Sequence, residues 1–199
     1  MANRSYLYTI RKENSKVNGI CECNYDIPLI FKILVSDNTQ MIPSKIFQNN
    51  EFIALQGDFQ NGKIKLYHFL DKLLSNYESS IDDLVSKVEN TKNFFETLIA
   101  EYFYLDCAEI YDMDTAPLEE QNKKLFNEIN NIHIEIEKFY KNLDDVIMEY
   151  TNLKNSFPNK GLFLNTRKEK AKQELKQVKR KIDNMLFLDY WTNTLYYDI

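Results

Sequence analysis

Residues 125–153 have the sequence LFNEINNIHIEIEKFYKNLDDVIMEYTNL, and this stretch decides the fold that the chain predicts. Its apolar residues recur at alternating steps of four and three, which is the spacing of a seam along a long α-helix packed on another helix. The members of this first seam are Leu125, Ile129, Ile132, Ile136, Phe139, Leu143, Val146, Tyr150 and Leu153. A second seam with the same alternation contains Leu164, Lys168, Ala171, Leu175, Val178, Ile182 and Met185. The sequence therefore predicts two long helices, over residues 118–154 and 164–188.

A short segment around Pro158, residues 156–161, is the strong helix breaker between the two seams. Because a short connection places consecutive helices antiparallel, we expect a coiled-coil-like hairpin folded about Pro158. The predicted core layers pair Tyr150 with Leu164, Val146 with Lys168, Leu143 with Ala171, Phe139 with Leu175, Ile136 with Val178, Ile132 with Ile182 and Ile129 with Met185. At the flank, the same register places Glu149 opposite Arg167 and Glu135 opposite Lys181.

Charge is divided between the two predicted helices, although the net charge of the chain is only -5. Residues 106–150 contain twelve acidic and four basic side chains, whereas residues 154–181 contain ten basic and two acidic ones. An exposed ion pair contributes only about 0–1 kcal/mol, so apolar burial dominates stability and the opposite charges help to select the register.

The remainder of the chain predicts shorter elements. Residues 5–10 are rich in β-formers and predict a strand, whereas residues 11–24 are polar, contain Gly19 and predict a loop. A short helix is expected over residues 29–36, with a strand as the alternative, and a second strand over residues 51–57 that could pair with the first. Helices are then expected over residues 62–77 and 81–105, which carry apolar stripes.

Composition agrees with a mainly helical protein. Hydrophobic residues make up 44% of the chain and aromatic residues 14%, and only four Gly and four Pro occur among 199 residues. We predict a mainly α fold of the α+β class: a helical bundle with a long antiparallel coiled-coil-like hairpin and a small N-terminal β element. Residues 1–60 would form a small α/β segment packed on a bundle of residues 61–199, and together they would make a single domain.

No residue set predicts a catalytic or metal site. Cys21 and Cys23 offer two thiols where a tetrahedral site needs four ligands, and the acidic cluster Asp106, Glu109, Asp112 and Asp114 lacks the glycine turn of a calcium loop. Nor does the sequence place a Ser, Cys or carboxylate partner beside His68 or His133. We therefore predict no catalytic residue, metal or cofactor. An enzyme with an unrecognised site at His133 or around Asp112 is the alternative.

Two segments are candidates for binding. The densest aromatic segment, residues 186–197, either packs on the bundle or forms a protein-binding patch with Tyr190, Trp191, Tyr196 and Tyr197 as its anchors. Nucleic-acid binding through Lys170, Lys176 and Lys179, which stay available after helix pairing, is a further alternative. It is disfavoured because the whole chain is acidic and no aromatic residues interleave with these lysines.

The chain resembles a group of uncharacterised bacterial proteins, mainly in its first third. The likeness is carried by residues 1–8 (Met1-Ala-Asn-Arg-Ser-Tyr-Leu-Tyr), 25–32 and 54–58, with a looser match around residues 109–111 and 118–122. This resemblance implies a bacterial source and a domain of unknown function. Some small proteins of this sort look like immunity factors of contact-dependent toxin systems. The resemblance assigns no catalytic residue.

The sequence also predicts the cellular location of the protein. No stretch approaches the roughly 20 apolar residues of a membrane span, and no apolar run follows Arg4 as it would in a secretory signal. Three cysteines without such a signal fit reduced thiols in a cytoplasm. We therefore expect a cytoplasmic, non-enzymatic protein that binds a protein partner and no membrane, with a toxin-neutralising immunity protein as the specific hypothesis.

Overall fold

The computed structural model describes residues 3–11, 16–46, 51–156, 164–192 and 194–196, and an antiparallel sheet with helices packed against it organises these residues. The strands are β1 (Arg4–Arg11), β2 (Lys16–Asn24), β3 (Gln40–Ile42), β4 (Ala54–Asp58) and β5 (Tyr102–Asp106). The helices are α1 (Leu29–Leu34), α2 (Phe59–Tyr77), α3 (Leu84–Glu96), α4 (Ala108–Tyr111), α5 (Leu118–Asn130), α6 (Ile132–Asn155) and α7 (Leu164–Leu186). The strand order in the sheet is β2-β1-β5-β4-β3.

The predicted fold class is wrong, because the sheet is not a small N-terminal element. Strand β5, which comes after α3, lies in the centre of the sheet and pairs antiparallel with both β1 and β4. The strand predicted near residues 51–57 forms as β4, but it pairs with β3 and β5 and not with the first strand. The sheet therefore draws its strands from both sides of residue 60.

Strands β2, β3 and β5 were missed, two of them for identifiable reasons. Residues 102–106 continue the apolar spacing of the predicted helix over residues 81–105, but α3 ends at Glu96 and the run Tyr-Phe-Tyr-Leu forms the central strand. The predicted loop over residues 11–24 contains β2, whose alternation is interrupted by a bulge. Its register passes from Cys21 opposite Leu7 to Gly19 opposite Tyr8, which leaves Ile20 as the extra residue.

The predicted coiled-coil hairpin is also wrong. The first seam helix is two helices, α5 and α6, which are separated at Asn131. Helices α6 and α7 do contact each other, but their apolar residues enter a core that they share with the sheet and with α1, α2 and α3. This shared core, rather than a two-helix seam, buries the apolar residues of α6 and α7.

The predicted register of α6 against α7 is wrong as well. Lys181 pairs with Glu149 at 3.9 Å and not with Glu135, whose carboxylate pairs with Lys138 at 2.8 Å. The side chain of Arg167, the expected partner of Glu149, lies outside the described residues. A seam that repeats every seven residues gives apolar layers in every register that differs by whole heptads, so its pattern alone cannot choose among them.

The sheet has apolar residues on both faces. Leu7, Leu55 and Leu105 face the main core, which the helices complete. On the opposite face Tyr6, Tyr8 and Tyr104 form a smaller cluster, against which Ile46 and Leu195 pack. Within the described residues, no helix is both long and apolar enough to cross a membrane.

Candidate functional site

The residues that the sequence offered for catalysis lie on separate elements. His68 is exposed on α2 and His133 is exposed at the start of α6. Asp112 and Asp114 are exposed after α4, whereas Asp106 is buried at the end of β5. Within the described part of the chain, no group of three His, Cys, Asp or Glu side chains could hold a metal ion.

The thiols are poorly suited to nucleophilic chemistry. Cys21 and Cys107 are buried, and the Sγ atom of Cys21 donates to the carbonyl oxygen of Tyr190 at 3.2 Å. Burial, together with the negative charge of Asp26, raises the pKa of the half-buried Cys23 to about 12. Because the thiolate is the reactive form, Cys23 is held in its unreactive state at neutral pH.

Two of the three lysines considered for nucleic acid take part in ion pairs. Lys170 approaches Glu174 at 3.8 Å on the same helix, and Lys179 approaches Asp83 at 3.9 Å. Lys176 is exposed and forms no ion pair with any described residue. Nucleic-acid binding remains a prediction. Of the three lysines that were expected to be available for it, Lys176 alone forms no ion pair with a described residue.

The aromatic residues near the carboxyl terminus divide between packing and exposure. Trp191 donates from Nε1 to Thr91 Oγ1 at 3.0 Å, and its ring meets Phe95 edge-on at a centroid distance of 4.7 Å. Tyr190 and Tyr196 keep exposed surface, at 44% and 55% of the residue, whereas Tyr197 lies outside the described residues. Trp191 is therefore used inside the molecule, and only part of the predicted patch presents aromatic surface.

Residues 188–192 and 194–196 form a C-terminal strap along β2, an edge strand of the sheet. The N–H of Thr192 donates to the carbonyl oxygen of Ile20 at 3.0 Å, and the N–H of Tyr196 donates to Glu22 Oε2 at 2.8 Å. The Leu195 side chain fills the space beside Gly19 that a Cβ atom would need. The strap thus covers an edge that would otherwise offer unpaired backbone groups.

An extensive concave surface among the described residues is one that the sequence did not indicate. It is a groove of three adjoining depressions, which lie between the β2–α1 connection on one side and α5 and α6 on the other. The first depression, of about 610 Å³, is lined by Cys23, Ile27, Phe139, Asn142, Met185, Phe187 and Tyr190 among others. The second, of about 450 Å³, is lined by residues 25–27, α4 and α5. The third, of about 500 Å³, lies along α5 and α6 and includes Ile134.

An ion pair lies where the three depressions meet. Lys32 of α1 donates from Nζ to Glu128 Oε2 of α5 at 3.0 Å. Lys32 lines the first and second depressions, and Glu128 lines the second and third. Nearby, the hydrogen bond from Lys138 lowers the pKa of Glu135. Within each of these two pairs, the lysine and the glutamate offset each other's charge.

Two aromatic residues with left-handed backbone conformations border the groove. Tyr25 has φ of 61° and Phe187 has φ of 52°, which is strained for residues that carry a Cβ atom. Tyr25 is held by its N–H, which donates to the carbonyl oxygen of Asn3 at 2.8 Å, yet 60% of its surface is exposed. Backbone strain of this kind is concentrated at functional sites, so both positions favour the groove as the candidate site.

Sequence reasoning missed the groove because its walls come from distant segments that only the sheet brings together. The available signals were weak: Tyr25 before Asp-Ile-Pro, and the apolar Ile134, which lies outside the seam between His133 and Glu135. A family model for a domain of unknown function, DUF7822, matches residues 7–145. No curated protein and no solved structure matches the chain.

Proposed function

The chain belongs to the DUF7822 family of domains of unknown function, and we propose that it is a non-enzymatic protein that binds a partner polypeptide in the groove. The specific form of the proposal is an immunity protein of a bacterial toxin system, which neutralises the toxin by occupying its surface. This form rests on the resemblance of the first third of the chain to bacterial proteins of that sort.

The observation that carries the proposal is the exposed apolar surface along the groove. Tyr25, Ile134 and Tyr190 are 60%, 43% and 44% exposed, and each lines one of the three depressions. Large apolar residues that line a concave surface mark contact sites for other molecules, and tyrosine is enriched at the energetic centres of protein interfaces. The groove is open along its length, which suits a segment of polypeptide better than an enclosed small substrate.

The histidines, thiols and amines that the structure describes offer more support for binding in the groove than for catalysis there. Among the described residues of the groove, neither histidine is present and the one cysteine is held as a neutral thiol. The ammonium groups of Lys32 and Lys138 are already paired with carboxylates. These pairs engage both amines in contacts within the protein.

The proposal is tested by affinity capture from the native host, with the groove altered by Tyr25→Gly. Glycine adopts the left-handed backbone of residue 25 without strain, so this variant removes the ring and leaves the fold at least as stable. Loss of about tenfold or more in recovered partner is expected. The matched control is Met148→Ala, which removes an exposed apolar residue on α6 outside the groove.

Toxin neutralisation has its own assay. Co-expression with toxins encoded by neighbouring genes should restore growth for the natural chain and the Met148→Ala control, and less so for Tyr25→Gly. If the natural chain captures no specific protein and protects against none of these toxins, the proposed function is wrong.

A further inference from the structure

We infer that the groove accepts a partner segment in which a lysine or arginine lies next to an apolar residue, an inference that rests on the proposed function. The starting point is the charge of the second depression. Its lining holds four carboxylates, from Asp26, Asp114, Glu120 and Glu128, against the two ammonium groups of Lys32 and Lys124.

Ion pairing leaves this excess of two negative charges unchanged. Lys32 is engaged by Glu128 at 3.0 Å, which removes one charge of each sign. Asp26, Asp114 and Glu120 form no ion pair with any described residue, and only Lys124 remains nearby to offset them. A cationic side chain from a partner therefore meets a net negative field here, and an anionic one is repelled.

The shape and the apolar lining of the depression match the rest of such a side chain. Ile27, Ile110 and Leu125 provide apolar surface for the aliphatic stem, and Tyr25 presents an exposed ring at the rim. Lysine and arginine pack their stems on apolar surface while the charged end meets carboxylates or the face of an aromatic ring.

The first depression takes a neighbouring apolar residue of the segment. Phe139, Phe187 and Tyr190 line it, and its two lysines, Lys32 and Lys138, are already paired with carboxylates. The third depression differs, because Lys123 and Lys124 line it and form no ion pair with any described residue. A basic residue next to an apolar one therefore fits the second and first depressions.

The test is a titration of the whole protein, followed by amide NMR shifts, with the peptide acetyl-Leu-Arg-Leu-amide. The matched probe replaces arginine by citrulline, which has the same shape without the charge. We expect the arginine peptide to shift the amides of residues 25–27 and 114–128 and to bind at least about tenfold more tightly than the citrulline peptide. The preference should shrink in 1 M salt, where the screening length falls to about 3 Å.

Variants assign the effect to the carboxylates. The double variant Asp114→Asn and Glu120→Gln should lose the arginine preference, whereas Asp145→Asn, outside this depression, should keep it. Equal affinity for both peptides, or no shift with either, would overturn the inference. The proposed function would then be decided separately by the capture of the natural partner and its dependence on Tyr25, since a partner can bind this groove without a basic residue.

Discussion

At residue 106 a carboxyl group is fully buried at the end of the central strand. Its Oδ2 atom accepts hydrogen bonds of 2.6 Å from both Ser44 Oγ and Tyr104 Oη, and its Oδ1 atom accepts from the N–H of Ala108 at 3.1 Å. Burial is the largest influence on its pKa and raises it, against the lowering effect of these hydrogen bonds. Asp106 therefore joins the segment before β4 to the start of α4 through a group whose charge is costly to keep in the interior.

This burial predicts a definite pH dependence. Because the pKa of Asp106 is raised in the folded state, the folded protein keeps this proton at pH values where the unfolded chain has released it. The stabilisation is complete below the ordinary pKa of 3.8 and is lost as pH rises through the folded pKa. The free energy of unfolding of the natural chain, relative to that of Asp106→Asn, should therefore decrease from pH 4 upward in urea titrations.

The control for this prediction is Asp145→Asn, which makes the same substitution at an exposed carboxylate of α6. Its difference from the natural chain should change less over the same pH range. A difference between the natural chain and Asp106→Asn that stays constant from pH 4 to pH 8 would show that the buried carboxyl group does not titrate differently on folding.

At the scale of elements, the sequence predicts individual segments better than their partners. The β-former run at residues 5–10 and the helix start at residue 118 are correct because local propensity and helix-starting residues act within a few positions. Strand β5 was missed because its side chains also fit a helical stripe, and only pairing with β1 and β4 decides between the two. The groove was missed for the same reason, since its walls are set by tertiary packing.

The C-terminal strap should contribute measurably to stability through Trp191. Its ring packs on Phe94 and Phe95, and its Nε1 atom donates to Thr91. Trp191→Ala should lower the free energy of unfolding by less than the about 3–5 kcal/mol of a fully buried tryptophan, because the residue is half-buried. Trp191→Phe should cost less, since it keeps an aromatic ring and loses mainly a hydrogen bond worth about 0.5–1.5 kcal/mol.

Hydrogen exchange locates this effect. In Trp191→Ala, the amide of Thr192, which donates to the carbonyl oxygen of Ile20, should exchange faster, because the strap that covers this edge is loosened. Amides of β3 at the opposite edge serve as the internal control. Unchanged exchange at Thr192 would mean that the strap is held independently of the tryptophan.

The register of α6 against α7 can be checked by crosslinking. In a Cys23→Ser background, where Cys21 and Cys107 are buried, Glu149→Cys with Lys181→Cys should react efficiently with a short bis-maleimide. The pair Glu135→Cys with Lys181→Cys, which a hairpin folded about Pro158 predicts, should react poorly. Crosslinking analysed by mass spectrometry distinguishes the two registers, and the opposite preference would support the seam register over the one in the structure.

At the scale of the whole molecule, the family model matches fewer residues than the core contains. The match covers residues 7–145, which include all or part of every strand and most of α6 but none of α7 or the strap. Yet Val178, Ile182, Leu186, Phe187 and Leu188 are buried in the same core as the sheet. A chain that ends after residue 156 would expose this apolar surface to water, at a cost of about 25 cal/mol for each Å².

We therefore expect the chain truncated after residue 156 to lose its cooperative thermal transition and its dispersed amide spectrum, although it contains the whole matched region. A milder variant separates loss of packing from loss of chain length: Ile182→Ala in the full chain removes one buried side chain of α7 and should cost about 2–5 kcal/mol. Its control is Lys176→Ala at an exposed position of the same helix, which should stay within about 0.5 kcal/mol of the natural chain. A truncated chain that still unfolds cooperatively, together with little effect of Ile182→Ala, would mean that α7 is an appendage. In that case the matched region folds without it, and the wall that Met185, Phe187 and Tyr190 add to the groove was acquired by an already stable domain.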